Sequence, residues 1–425
     1  MNNRTSISAI FRFWLPLQTT WLMMAIEGPL LTAIIARLAE PKLNLAAYGV
    51  AFALAIMVEA PVIMMMSAST ALADSEENFR RLRNFTWILN LGITAFMLVL
   101  IFSPAWDLVI NRWMRLDPQV AQLTHTSLII LLPWPAAIGY RRFYQGLLIR
   151  TGRTRLVAWG TGIRLVGMAL TAFLFTKFTT LNGAWIGASA LTAGVLMEAA
   201  ASRVMASGSI AEIVQSHKPV TLSYREITRF YYPLALTSTI SLMVHPMVTF
   251  FLGQSRNSLE SLAVLPVINA LVFIFRTPGL SFQEAAITML GRTKENLPVV
   301  KLFAVYLGMS AALLLGLIAL TPLSKVWFQQ ISGLSAELAA FAKLPVRILV
   351  LMPALSITLS MQRAILVHKR NTGPVTWAST LEVVGILVTL VLTLNVGNWM
   401  GATAAATAFM IGRGMGIMLL WKSTR

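Results

Sequence analysis

Two charged residues stand where a membrane-like sequence should carry none. Glu59 lies in Val58-Glu59-Ala60-Pro61 and Arg276 in Phe275-Arg276-Thr277-Pro278, each deep in an apolar run and each just before a proline. They are 217 residues apart in what reads as an internal repeat. A carboxylate can carry a proton or a small cation, and a guanidinium can hold an anion. A charge at the centre of a bilayer costs roughly 2.5–3.5 kcal/mol on insertion scales, so such groups face a protein interior and pair. The expected chemistry is a Glu59–Arg276 pair that opens when an anion competes for Arg276 and leaves Glu59 to take a proton. The alternative is a permanent salt bridge locking the two halves of the chain, which would be costly to break.

Other charges fall in the same kind of surroundings. Glu27, Glu59, Glu198, Glu284 and Glu382 lie in apolar runs, as do Arg164, Arg276, Arg413 and the histidine His245. Glu27 stands two residues before Pro29, whose missing N–H exposes a carbonyl near the carboxylate; this suits a proton or Na⁺, or else a neutral acid bonded to a neighbouring helix. His245 precedes Pro246 and could titrate in the physiological range, or be a satisfied interior histidine. Pro29, Pro246, Pro61 and Pro278 are the expected bending points. Glu284 follows Arg276 by eight residues, about 80° round a helix, and could line the same vestibule.

Arg276, His245 and Glu284 are thus candidates for substrate binding, and Glu27, Glu59 and Arg276 for coupling and gating. Arg164 and Glu382, at equivalent repeat positions, are expected inside their own lobes in a structural role. Glu198 and Arg413 are not repeat-equivalent and point less clearly to a site. Gly412-Arg413-Gly414-Met415-Gly416 has no strand before it, so helix packing through small residues explains it better than phosphate binding. Met64-Met65-Met66 could form an adaptable apolar wall. Arg141-Arg142 and the Arg150–Arg155 stretch are read as the cytoplasmic end of the fourth span and its connector, orienting the chain and touching lipid head groups, or else forming an electrostatic funnel for cytosolic polyanions.

The elements that must position these residues are membrane helices. The chain of 425 residues is 57% hydrophobic and 12% charged, against about a quarter charged in soluble domains. Twelve apolar runs are long enough to span, at approximately 10–38, 45–73, 85–106, 122–147, 156–178, 182–206, 229–253, 261–290, 298–323, 343–367, 376–397 and 400–421. The first is too long, and lacks a small-residue cleavage site, to be a cleavable signal. The net charge of +18 invites a nucleic-acid reading, but the basic residues fall in short connectors, so no nucleic-acid partner is expected. Most of the 34 lysines and arginines lie on the side of the two termini, which places both termini in the cytoplasm. With no cysteine, disulfides and thiolate metal sites are excluded.

The two halves repeat. Arg12-Phe13, Pro16-Leu17, Pro29 and Pro61 recur as Arg229-Phe230, Pro233-Leu234, Pro246 and Pro278. After a one-residue slip, Pro104, Pro135-Ala136, Trp159, Gly167 and Gly183 match Pro322, Pro353-Ala354, Trp377, Gly385 and Gly401. The expected fold is all-α, with twelve transmembrane helices as two parallel six-helix repeats. Its expected lobes are 1–206 and 229–425, joined by a polar cytoplasmic linker at 207–228 that carries His217-Lys218-Pro219. An even number of spans per half makes the repeats parallel, with substrate sites between the lobes near the midplane.

This six-plus-six pattern, with prolines in spans 1 and 7, resembles the multidrug and toxic-compound extrusion (MATE) fold of the multidrug, oligosaccharidyl-lipid and polysaccharide (MOP) exporter superfamily. The run Leu45-Ala46-Ala47-Tyr48-Gly49-Val50-Ala51-Phe52 followed by Pro61 is most similar to the progressive ankylosis (ANK) branch. The resemblance implies V-shaped lobes, a cleft lined by spans 1, 2, 7 and 8, alternating access, and export of small anions such as pyrophosphate, citrate or nucleotides. Two departures stand out: Glu59 is outside that branch's pattern, and span 1 carries Glu27 where proton-coupled drug exporters of the fold have an aspartate. The expectation is a secondary active exporter of a small anionic solute in the plasma (inner) membrane. Its expected partners are that solute and membrane lipid, with a single chain as the working unit. No cofactor or metal is expected beyond H⁺ or Na⁺ as coupling ion. Alternatives are H⁺- or Na⁺-coupled efflux of organic cations and a flippase for lipid-linked precursors. An enzyme ranks last, since His125, His217, His245 and His368 are scattered and no nucleophile–base pair is visible.

Overall fold

The computed structural model describes residues 6–216, 222–290, 295–369 and 373–424. Apart from a lone bridge between Arg256 and Met400, the ordered elements among these residues are helical. In order they are α1 (Ile7–Ile35), α2 (Pro41–Glu59), a 3-10 turn (Ala60–Val62), α3 (Met65–Leu72), α4 (Glu76–Phe102), a π-helical turn (Asp107–Trp113), α5 (Pro118–Ile130), α6 (Trp134–Arg150), α7 (Thr154–Phe178), α8 (Gly183–Met205) and α9 (Ser207–Gln215). There follow α10 (Tyr224–Leu242), α11 (Val244–Gly253), α12 (Ser258–Met289), α13 (Leu297–Leu320), α14 (Leu323–Lys325), a second π-helical turn (Val326–Ile331), α15 (Ala336–Ile348), a 3-10 turn (Leu349–Leu351), α16 (Met352–His368), α17 (Gly373–Val391), a third π-helical turn (Leu392–Val396) and α18 (Gly401–Thr424).

Ten helical stretches among the described residues are long and apolar enough to cross a membrane. The first and fourth expected spans are not among them: α1 is diluted by polar residues such as Gln18 and Glu27, and the fourth is broken into α5 and α6, of 13 and 17 residues. Large apolar side chains stand exposed along single helices, such as Ile88, Leu91, Val99 and Phe102 on α4 and Leu313, Leu317 and Leu320 on α13. In water such stripes would be a liability; in a multi-pass membrane protein they face hydrocarbon.

The chain folds as two compact units. One contains Leu38–Phe250; the other contains the chain through Arg37 and the chain from Phe251 onward. The units group the chain differently from the expected halves: α1 falls with the later part of the chain and α10 with the earlier part. Within the second unit α1 lies along α12, with the Trp14 indole donating to the Ser281 hydroxyl at 2.8 Å and the Gln18 amide to Thr277 Oγ1 at 3.0 Å. Trp14 also joins a core of Ile10, Phe282, Phe303, Ile357 and Ile365. Within the Leu38–Phe250 unit, α10 lies against the Pro61 turn. Its Tyr231 hydroxyl donates to the Pro61 carbonyl, and its Ser238 hydroxyl donates to the Ala60 carbonyl at 2.8 Å. Tyr231 packs there with Met65, Phe79, Leu82, Phe143 and Leu147. Part of the expected linker is helix α9; His217-Lys218-Pro219 lies outside the described residues.

Glu59-Ala60-Pro61 and Arg276-Thr277-Pro278 differ in how the chain passes the proline. Proline cannot donate to the carbonyl four residues back. At Pro278 that carbonyl belongs to Ile274, and the Thr277 hydroxyl donates to it instead at 2.8 Å, so α12 runs through. The first copy has Ala60 where Thr277 stands; α2 stops at Glu59 and a 3-10 turn follows. The chain likewise breaks between α10 and α11 just before Pro246, whereas α1 continues through Pro29.

Other local features recur at the offsets read in the sequence. Glu40 and Asn257 hold left-handed backbone (φ 48° and 55°) just before α2 and α12, and Arg115 and Gly333 do so (φ 53° and 74°) after the first two π-helical turns. Close helix seams recur too. A Cβ on Gly194 would meet the Arg164 carbonyl at 2.9 Å, and one on Gly412 would meet the Glu382 carbonyl at 2.6 Å. The glycine-rich run of α18 is therefore a packing surface, as its small residues suggest. Gly412→Val should destabilise the chain by about 1–3 kcal/mol through overpacking, while Gly414→Ala, with open space around it, should not. Thermal midpoints of the two purified variants, monitored by size-exclusion recovery after heating, check this.

Candidate functional site

Each unit carries its own cluster of charges among helices. In the Leu38–Phe250 unit the centre is Glu198 on α8, fully buried. It receives Arg141 from α6 in an ion pair, Gln145 Nε2 at 3.0 Å, and Arg164 Nε from α7 at 3.4 Å. These partners follow from spacing: Arg141 and Gln145 are one turn apart on α6, and the Gly194 seam brings α8 against the backbone of Arg164. Glu59, 7% exposed, ends α2 within reach of the fields of Arg142, Arg141 and Arg164. Its Oε2 is buried and makes no hydrogen bond among the described residues. Arg142 directs Nη1 at the Met66 sulfur, 3.7 Å away. The cluster therefore holds three guanidiniums against two carboxylates.

In the other unit, four helices contribute. Arg276 on α12 donates Nε to the Ser356 hydroxyl of α16 at 3.3 Å. Arg363, two turns along α16, donates Nη2 to the Ser379 hydroxyl of α17 at 3.1 Å. Glu382, three residues after Ser379 on α17, accepts from Arg413 Nη2 of α18 at 2.9 Å. The charges of Arg413, Glu382 and Arg363 all act on Arg276. Here three guanidiniums face one carboxylate. Arg276, Arg363, Glu382 and Arg413 are all half-buried.

Glu59 and Arg276 each lie among charges of their own unit: Arg141, Arg142 and Arg164 around Glu59, and Arg363, Glu382 and Arg413 around Arg276. Arg164 and Glu382 do sit inside their own units, as expected. Their partners are Glu198 and Arg413, the two charges that pointed least clearly to a site. The acid and the arginine have changed helices: Arg164 on α7 faces Glu198 on α8, and Glu382 on α17 faces Arg413 on α18. Arg141 and Arg142 are not at a helix end; they lie in the middle of α6, with Arg141 4% exposed. Arg363 and Gln145 had not been singled out, although both stand in apolar helices at equivalent positions 218 residues apart. Glu27 is half-buried on α1, His245 exposed on α11 and Glu284 exposed on α12; the two clusters do not include them. His245 is not alone among histidines in a helix interior: His125 of α5 places Nε2 3.1 Å from the Ile101 carbonyl, with the Trp106 ring edge-on to it.

No family model and no curated protein sequence matches the chain. Solved structures do. A multidrug resistance MATE family transporter of the MOP superfamily, in an inward-facing conformation, matches with TM-score 0.77 and 14% identity over 96% of this chain and 94% of that one. The lipid II flippase MurJ, inward closed, matches with TM-score 0.72 and 16% identity over 96% and 87%. A MOP superfamily transporter from Pyrococcus furiosus, whose binding pocket is described as having reverse polarity suggestive of a different function, matches with TM-score 0.70 and 14% identity over 99% and 96%. The chain shares the fold of these transporters.

Removing the carboxylate of Glu198 leaves Arg141 and Arg164 without their buried counter-charge. Breaking such a pair costs about 3–5 kcal/mol. Glu198→Gln should therefore lower the thermal midpoint strongly, whereas Glu59→Gln, which severs no hydrogen bond, should leave it unchanged or higher. Parallel melting curves in one detergent check the contrast.

Proposed function

We propose that this chain is a secondary active transporter that exports a small anionic solute by alternating access. Its spans would form two parallel six-helix repeats, twelve in all, in the plasma (inner) membrane with both termini cytoplasmic. The observation that carries the anionic reading is the excess of guanidinium over carboxylate inside the helices, above all Arg276, Arg363 and Arg413 against Glu382. Unbalanced positive charge in a low-dielectric bundle is costly unless an anion completes it. Pyrophosphate, citrate and nucleotides are the solute classes to test. The fold shared with MATE and MOP transporters supports transport rather than catalysis.

Coupling falls to Glu59. A buried carboxylate with an oxygen that makes no hydrogen bond is suited to gaining and losing a proton as nearby guanidiniums are engaged or released. Glu27, beside Pro29, is the second coupling position, and Na⁺ the alternative ion. His245 and Glu284 would serve a solute on its way to or from Arg276.

A second reading keeps the same machinery for other cargo. Glu59 and the fold of a multidrug transporter favour H⁺- or Na⁺-coupled efflux of organic cations, and the fold of MurJ favours flipping of a lipid-linked precursor. Inside-out vesicles offered labelled pyrophosphate, citrate and ATP beside an ethidium-like cation separate these readings. The expected result is anion uptake driven by an imposed H⁺ or Na⁺ gradient and lost in Glu59→Gln. Robust cation uptake with no anion uptake would overturn it.

A further inference from the structure

The arginines of the second unit are unequal in their partners. Arg413 has a carboxylate, Glu382, at 2.9 Å. Arg276 and Arg363 each have only a serine hydroxyl among the described residues, at 3.3 Å and 3.1 Å. A guanidinium carries five N–H donors in a planar fork and no acceptor. Most of the donors of Arg276 and Arg363 are therefore uncommitted, and the buried Nε atoms of Arg363 and Arg413 make no hydrogen bond either. Ser379 passes its own proton to the Val375 carbonyl. Ser356 has no such acceptor among the described residues, so its hydroxyl is one more donor. A half-buried set of donors on α12, α16 and α18 thus carries a formal excess of two positive charges over Glu382, a charge that an acceptor-only dianion matches.

We propose that Arg276, Arg363 and Arg413, with Ser356, form a seat for a doubly charged, phosphate-type oxyanion. This names the anion class for the export reading above and rests on that reading for the seat's role in transport. Tetrahedral oxyanions offer several oxygens, so forks arriving from three helices can each engage one edge. A single carboxylate would balance only half the excess, and an organic cation would be repelled. Glu382 holds Arg413 in place and competes with the incoming anion, which keeps binding reversible. The seat exists once per chain: the positions matching Arg276, Arg363 and Arg413 in the other half are Glu59, Gln145 and Val195.

The test is ligand-induced thermal stabilisation of the full chain. Inorganic phosphate, sulfate and chloride are compared at equal ionic strength in detergent, and nanodiscs with and without phosphatidic acid supply the lipid-borne form of the same chemistry. The expected result is a raised melting midpoint with phosphate and sulfate but not chloride. Phosphate affinity should fall roughly ten- to a hundredfold in Arg363→Gln and in Arg276→Gln, the range for losing hydrogen bonds to a charged group. Arg363→Lys, which keeps the charge and loses the fork, should retain part of it and covers the case in which the glutamine variant does not fold. Stabilisation by phosphatidic acid alone, lost in the same variants, would assign the seat to a lipid head group. No stabilisation in either format, or stabilisation of equal size in the variants, overturns the seat. If vesicles still export anions while binding ignores these arginines, the seat falls and the export reading stands.

Discussion

A charge inside a membrane helix bundle must be neutralised nearby, and this requirement shapes both units. Glu198 shows it most fully: a carboxylate with no solvent exposure is met by Arg141, Gln145 and Arg164 from two neighbouring helices. Each partner needs its helix at the right rotation and distance. The small residue Gly194 allows α7 and α8 to approach closely enough for the Arg164 contact. If α8 slipped by one residue along α7, the carboxylate would turn by about 100° and lose its partners. The apolar residues set only that the helices are buried in lipid; the ion pairs set which faces meet.

The same seam serves the other unit with its charges exchanged. Gly412 lies against the backbone of Glu382 as Gly194 lies against that of Arg164. What differs is chemistry laid on matching geometry. The Leu38–Phe250 cluster nearly balances and leaves one carboxylate oxygen of Glu59 idle, a feature suited to protons. The other cluster is short of negative charge by two, a feature suited to anions. Ala60 and Thr277 differ by one hydroxyl: in α12 it donates to the Ile274 carbonyl that Pro278 leaves without its amide donor, whereas α2 ends at Glu59.

Much of this was legible in the sequence, for definite reasons. Apolar runs announce membrane helices because lipid enforces them, and prolines and glycines mark equivalent positions because backbone constraints are local. For Glu59 and Arg276 the register shows equivalence but not which charges of their own units surround them, because those neighbours come from helices distant in sequence. The partners of Arg164 and Glu382 were missed because Glu198 and Arg413 occupy non-equivalent positions: acid and base changed helices between the halves. Arg141 and Arg142 looked like a helix end because a further basic run follows them; their burial depends on α6 continuing to Arg150. The exchange of α1 and α10 rests on side-chain bonds such as Trp14 to Ser281 and Tyr231 to Pro61, which hydropathy does not register.

The proposed anion seat depends on the excess positive charge around Arg276. Supplying the balancing negative charge from the protein tests it most directly. Ser356→Asp would put a carboxylate where the hydroxyl now lies 3.3 Å from Arg276 Nε. Melting curves with and without phosphate should show a variant more stable than the parent when no anion is added and insensitive to phosphate. A variant that is destabilised, yet still stabilised by phosphate as strongly as the parent, would contradict the account.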